Sequence, residues 1–281
     1  MLVEEVHFRP DWITGFELGE RALAVNLSDI AAMGGRPTFA LASIAISPDT
    51  PLRLVEDIFR GLRHQANLYG VGVVGGNTAR TPGPMTLDIT LLGEVPKPDV
   101  LLRRGAKVGD VLAVTGFLGD AAASRLWAER AIESPEHDDD IKVRRSLVPE
   151  PRVDAGQAVA AGHLAHAMMD ISDGLGSDIH HLANASRVGS VIYEENLPVS
   201  LATRRIADRL GEHARDLALY GGEDYELLMA LPEESLDRAK EVLGTLPLHE
   251  VGTVLPRDQG VLLETIGGKR EPLAPRGWKH F

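Results

Sequence analysis

The 281-residue chain contains no cysteine. That absence excludes disulfides and thiolate metal sites, so a bound metal must sit on oxygen or imidazole, and it accords with a reducing cytoplasm. Long apolar runs are missing too, none approaching the roughly 20 residues a membrane helix requires. The opening MLVEEVHF carries acids where the basic region of a signal peptide would stand. Together these absences predict a cytoplasmic protein without a membrane partner. Positive charge is scarce: 29 Lys and Arg face 41 Asp and Glu, a net −12. Such a balance disfavours nucleic acid and permits a cation-rich site. Neither a low-complexity segment nor a short repeat occurs.

Two phosphate-binding devices are also lacking. No Walker loop is found, since Gly268-Lys269 is followed by Arg270. GVGVVG at Gly70 to Gly75 has the spelling of the dinucleotide fingerprint, but that motif needs a strand before it and a helix opening on its last glycine. Here a helical stretch precedes, Val71, Val73 and Val74 read as strand, and GGNTARTPGP reads as loop.

What remains is long enough for two domains of ordinary size, each with its own core. PLRLVEDIFRGLRHQANLY, Pro51 to Tyr69, places Leu52, Val55, Ile58, Phe59 and Leu62 on one helical face. Met85 to Val95 alternates Leu87, Ile89 and Leu91 with Thr86, Asp88 and Thr90, as a strand with one wet face does. Phe39 to Ile46 is a second strand. EVPKPDVLLRRGAKVGD holds two prolines and a basic cluster and sets a boundary near Pro98, giving domains 1–98 and 99–281. Beyond it, VLAVTG, AMMDIS, SVIY, YELLMAL, HEVGTVL and GVLLET alternate with helical stretches, predicting an α+β fold of layered helices and sheet. The acid run Glu136 to Asp140 reads as a solvated loop tip.

Candidate chemistry centres on AMMDISDGLGSDIHHL, Ala167 to Leu182, where Asp170, Asp173 and Asp178 follow an apolar run. Carboxylates so placed are costly to desolvate unless cations or donors meet them. The D-x-x-D-G spacing is one residue longer than the D-x-D-G of haloacid-dehalogenase-like phosphatases, so Asp170 and Asp173 read as oxygen ligands for Mg²⁺ rather than as nucleophile and acid. The competing reading makes Ser172 or Asp173 a helix cap; Asp178, His180 and His181 read as plain helix residues, Asp178 solvated. Asp29, among Ala24, Val25, Leu27, Ile30 and Ala31, either has a cationic partner or serves as a cap or an exposed helix position. Gly75-Gly76-Asn77-Thr78 either lets a backbone approach a ligand or makes a plain turn. YGGEDYEL presents both Glu223 and Asp224, more acid than a bland hairpin needs, and the terminal GWKHF carries Trp278, which either covers a site or packs.

VEEVHF, ALAVNLSDIAAMGGRP, GGNTAR, RRGAKVGD, VTGFLGDAA, DISDGL, GGEDYEL and GWKHF, in that order, resemble the thiamine-monophosphate kinase family, a branch of the aminoimidazole-ribonucleotide synthetase-like superfamily. The resemblance implies two α/β-layered domains, dimerisation through the N-terminal sheet, and ATP-dependent phosphorylation of thiamine monophosphate with several Mg²⁺ ions. It implies Asp29, Asn77, Asp170 and Asp173 as metal ligands, and Gly76, Asn77, Arg103 and Ser172 as ATP contacts, with Arg104 an alternative register to Arg103. His7, Glu223 and Trp278 fall on substrate-contacting positions. Asn77 stands where many relatives have Asp, keeping an oxygen but losing a charge. The family also has a strand-and-loop segment with a Gly-Asp-Asp motif ahead of the point matching Met1, so weak ATP binding and slow or absent turnover are expected of the chain as it stands. An inactive nucleotide-binding dimer, or another superfamily member such as selenophosphate synthetase, is the alternative.

Overall fold

The structure, a computed structural model, describes residues 1–130 and 145–277. The acid run at 136–140 and Trp278 therefore lie outside the described residues.

In the first half, β1 (Leu2–Val3), β2 (Arg36–Ile46), β3 (Gly72–Arg80) and β4 (Thr86–Glu94) form a sheet of order β1-β4-β2-β3. Two helices, α1 (Gly15–Ala32) and α2 (Leu52–Leu68), cover one face. Thr14 starts α1 with a capping box: its hydroxyl accepts from the Glu17 N–H, and Glu17 reaches back to the Thr14 N–H. The two helices touch backbone to backbone where glycines permit. A Cβ on Gly19 would stand 1.9 Å from the Ile58 carbonyl oxygen, and one on Gly61 would stand 1.8 Å from that of Phe16. This contact rotates α2 from the expected stripe: Ile58, Gly61, Leu62, Gln65 and Ala66 are buried, while Leu52 and Phe59 are exposed.

GGNTAR is not a loop. It continues β3 in parallel register with β2, pairing Gly76 with Ala42 and Asn77 with Ser43. Gly76 is required there because a Cβ would meet the Ala42 carbonyl oxygen at 1.7 Å.

The second sheet takes β5 (Val111–Thr115), β6 (Ala167–Asp170), β7 (Gly189–Tyr193), β8 (Leu227–Leu231), β9 (Leu248–Leu255), β10 (Val261–Glu264) and β11 (Arg270–Pro272) in the order β11-β10-β7-β9-β5-β8-β6. Its helices are α3 (Asp120–Glu129), α4 (Val153–Ala161), α5 (Leu175–Ser186), α6 (Leu201–Leu210), α7 (Ala214–Tyr220) and α8 (Leu236–Leu243). The halves do not keep separate cores. One apolar cluster runs from Leu23, Leu27 and Ile58 of the first half to Val159, Met168 and Met229 of the second. A different cluster, including Ile171, Leu175 and Ile192, fills the other face of the large sheet. This shared packing seats α1 against β6. No helix among the described residues is long and apolar enough to cross a membrane.

Candidate functional site between the two sheets

A cavity of about 480 Å³ opens where α1 meets the end of β6, lined among others by His7, Asp29, Asp170, Ser172, Asp173 and Glu223. Six predicted residues from four separate stretches of chain thus share one wall.

Asp29 lies in the last turn of α1, far from its N-terminal cap, so the capping reading fails. A carboxylate there faces the negative end of the helix dipole, and no basic residue in that turn offsets it. Its side chain is exposed, yet the surrounding protein still pushes its carboxyl up, against the opposing pull of Arg103. Asp170 ends β6 and accepts from the Ser28 hydroxyl at 2.8 Å. Burial first, and then the charge of Asp29, push its carboxyl up to about 6. The charge of Arg103 is felt at both acids. Two carboxylates drawn from different halves of the chain, both held against ionisation, suit a hard cation on oxygen ligands.

Neither Ser172 nor Asp173 caps α5. Gly174 takes the cap position at φ 99°, and Asp178 reaches back from the first turn to accept the Asp173 N–H at 3.0 Å. Asp178 is therefore not solvated but 1% exposed, and burial followed by the charge of Asp173 pushes its carboxyl up to about 8. His181 joins them: ligand atoms of Asp173, Asp178 and His181 all lie within 4.8 Å of one another. The plain reading does hold for His180, whose Nε2 sits 2.7 Å from the Leu273 carbonyl oxygen.

Glu223 and Asp224 have opposite roles. Asp224 faces away from the cavity and caps α3, accepting the Gly119 N–H at 3.0 Å with both oxygens. Glu223 faces the cavity on a left-handed backbone, φ 63°, as does Tyr225 at 51°. Each such residue costs about 1–3 kcal/mol and persists where its surroundings hold it. Here the hold is two backbone bonds to the acid loop, from the Glu223 N–H to the Ser172 oxygen at 2.7 Å and from the Tyr225 N–H to the Ile171 oxygen at 2.8 Å. His7 Nδ1 accepts the Val3 N–H at 3.1 Å, which leaves the proton of the neutral ring on Nε2.

Gly76 and Asn77 do not line this cavity; they sit on the open edge strand β3. Arg103 and Arg104 are both exposed outside its lining. Gly277 donates its N–H to Ser177 Oγ, in the first turn of α5, at 2.9 Å. Sequence reasoning passed over Arg125, Tyr225 and Val25, which also line the cavity. Val25 could have been found as the i−4 neighbour of Asp29 on a helix.

A second cavity of about 510 Å³ lies beside α3. Its charged groups satisfy one another: Glu226 takes the Arg152 guanidinium at 2.6 and 2.8 Å and the Thr115 hydroxyl at 2.6 Å, while Asp224 caps the helix. It reads as structural.

The raised acids set a pH dependence. A carboxyl with a higher pKa folded than unfolded holds its proton more tightly when folded, so stability falls as pH rises from the ordinary 3.8 through about 6 for Asp170 and about 8 for Asp178. The metal-free melting temperature should therefore drop between those limits, Asp178→Asn should flatten the drop, and Mg²⁺ should oppose it. Melting curves across that range check this; a rising melting temperature would refute it.

A small sheet and a large one joined by α1, with a carboxylate-lined cleft between them, define an AIR synthase related protein. The sequence pattern of that family's N-terminal domain matches residues 1–95 and that of its C-terminal domain residues 107–263. Thiamine-monophosphate kinase of Bacillus subtilis (strain 168) is 33% identical over 284 residues, spanning 100% of this chain and 86% of that protein. The enzyme of the same name from Escherichia coli (strain K12) is 36% identical over 283 residues, with 100% and 84% covered. The solved structure of AaThiL complexed with AMPPCP and TMP superposes with a TM-score of 0.87 at 34% identity, covering 100% of this chain and 85% of that one. The chain belongs to the thiamine-monophosphate kinase family.

Proposed function

We propose that the chain transfers the γ-phosphoryl group of ATP to the phosphate of thiamine monophosphate, giving thiamine diphosphate and ADP. The observation that carries this reading is the meeting of Asp29 with Asp170 and Asp173 at one cavity wall, beside Ser172, His7 and Glu223. The donor set fits Mg²⁺: hard oxygens, with burial and mutual charge opposing the ionised form of Asp170 until a cation is present. Asp29, Asp170 and Asp173 would hold it; Asn77, on β3 outside this lining, is proposed as an oxygen ligand on its motif alone. Bound there, Mg²⁺ would offset the repulsion between two phosphate-bearing molecules.

Ser172 and Arg103 contact the nucleotide, with Gly76 and Asn77 approaching from β3. His7 and Glu223 face the acceptor, whose cationic thiazolium and aminopyrimidine N–H groups suit a carboxylate; Trp278, outside the described residues, is the third substrate contact of this reading. The acceptor phosphate is already an anion at neutral pH and needs no general base.

The test is direct analysis for thiamine diphosphate after incubation with ATP, Mg²⁺ and thiamine monophosphate, with ADP release as a second readout. ATP binding without product would favour the inactive nucleotide-binding dimer. ATP consumed with selenide but not with thiamine monophosphate would favour the selenophosphate synthetase reading.

The reading includes a homodimer. Phe39, Leu41 and Leu92, 51%, 43% and 57% exposed, form an apolar stripe on the uncovered face of the small sheet, next to the open edge of β3. Light scattering at a concentration on the order of tens of micromolar should give twice the chain mass. Leu41→Lys should shift that mass toward the monomer, and a monomeric parent chain would refute the dimer.

A further inference from the structure

Arg21 has no part in the chemistry above, yet its contacts converge on the acceptor end of the cavity. It lies on α1 about two turns before Asp29 and is 2% exposed. Its guanidinium ties three distant segments together. Nη1 donates to the Leu147 carbonyl oxygen at 2.6 Å, while Nη2 donates to that of His7 at 3.4 Å and pairs with Glu223 Oε1. Nε is buried without an acceptor among the described residues.

Two features separate this from an ordinary buried ion pair. Glu223 is not itself buried: its side chain is 27% exposed and lines the cavity. Arg21 engages Oε1, so the same contact that fixes the carboxylate leaves Oε2 to face a ligand. The second tie, to the His7 backbone, holds the other acceptor-facing residue, contributed by the opposite end of the chain. A planar fork reaches three acceptors in fixed directions, whereas a lysine ammonium on a flexible stem cannot hold all three.

We propose that Arg21 is a positioning residue for the phosphate acceptor, presenting the Glu223 carboxylate and the His7 segment to its cationic, hydrogen-bond-donating end. The proposal rests on reading this cavity as the acceptor site. Arg21 acts on the acceptor and not on the nucleotide, because the residues it holds are not those assigned to ATP or metal.

The experiment measures steady-state constants and, separately, calorimetric Kd for thiamine monophosphate in the parent chain, Arg21→Lys, Glu223→Gln and the double variant. Arg21→Lys should raise both KM and Kd for thiamine monophosphate by about tenfold or more while moving the KM for ATP by less than about threefold. In the Glu223→Gln background the same change should add less than about twofold, since residues acting as a unit are not additive. Arg21→Lys keeps the charge, so melting curves should remain close to the parent; if it fails to fold alone, the double variant, which relieves the unpaired carboxylate, is compared with Glu223→Gln. Equal losses for ATP and acceptor, or full additivity with Glu223→Gln, would overturn the proposal in favour of a merely structural role. A parent chain that binds thiamine monophosphate without phosphorylating it would favour the inactive form of the chain, and Kd alone would then decide the role of Arg21. A parent chain that binds none overturns both the kinase reading and the role of Arg21.

Discussion

Asp170→Asn should slow thiamine diphosphate formation by about a hundred- to a thousandfold without lowering the melting temperature. The Asp170 carboxyl is already raised to about 6 by burial and by Asp29, so its charge works against folding, and an amide of the same shape removes that penalty. The amide also removes a metal ligand, and charge neutralisation matters most in the transition state, so rate should suffer more than nucleotide affinity. Asp29→Asn should behave alike, relieving a carboxylate at the negative end of α1. Both variants should need more Mg²⁺ for ATP binding, measurable by titrating Mg²⁺ in a nucleotide-binding assay. Loss of fold with unchanged Mg²⁺ dependence would assign these acids to structure instead.

The largest loss of stability is expected at Arg152. Its guanidinium, 17% exposed, makes two hydrogen bonds to Glu226, whose side chain is 7% exposed. Replacing a buried pair by well-packed apolar groups is often neutral, whereas removing one partner strands the other charge. Arg152→Met should therefore cost about 3–5 kcal/mol, lowering the melting temperature by on the order of 10 °C for a chain of this size. Arg152→Met with Glu226→Gln should recover much of that loss, because the stranded charge is gone. Thermal and urea unfolding of the single and double variants check both statements. The Kd for thiamine monophosphate should be the same in the double variant as in the parent, since the pair lies beside the other cavity.

How far the chain could be read in advance varied from element to element, for physical reasons. Met85 to Val95 emerged as β4 because alternation with period two survives whatever packs on the buried face, and Phe39 to Ile46 emerged within β2. The buried stripe of α2 emerged only in part, at Ile58 and Leu62 but not at Leu52 and Phe59, because two glycine contacts with α1 turn the helix onto small residues, and glycines carry no hydrophobic signal. GGNTAR was mistaken for a loop for a related reason: two glycines look like a turn locally, while the pairing with β2 that makes them a strand is long-range. Asp178 was read as a solvated helix residue because nothing in its neighbours reveals that it folds back on the Asp173 N–H.

The sequence by itself determined the α+β class and the family, since these follow from hydrophobic patterning and from motifs whose order along the chain needs no coordinates. Only the tertiary structure decided which acids act together. Asp29 and Asp170, 141 positions apart in the numbering, become neighbours because one apolar cluster seats α1 against β6. Glu223 and Asp224, adjacent in sequence, part company because a left-handed backbone turns one into the cavity and leaves the other to cap α3. Local residue types specify what a carboxylate can do, but the partners that raise its pKa or satisfy its oxygens arrive through packing between distant segments, and that packing is where the site is made.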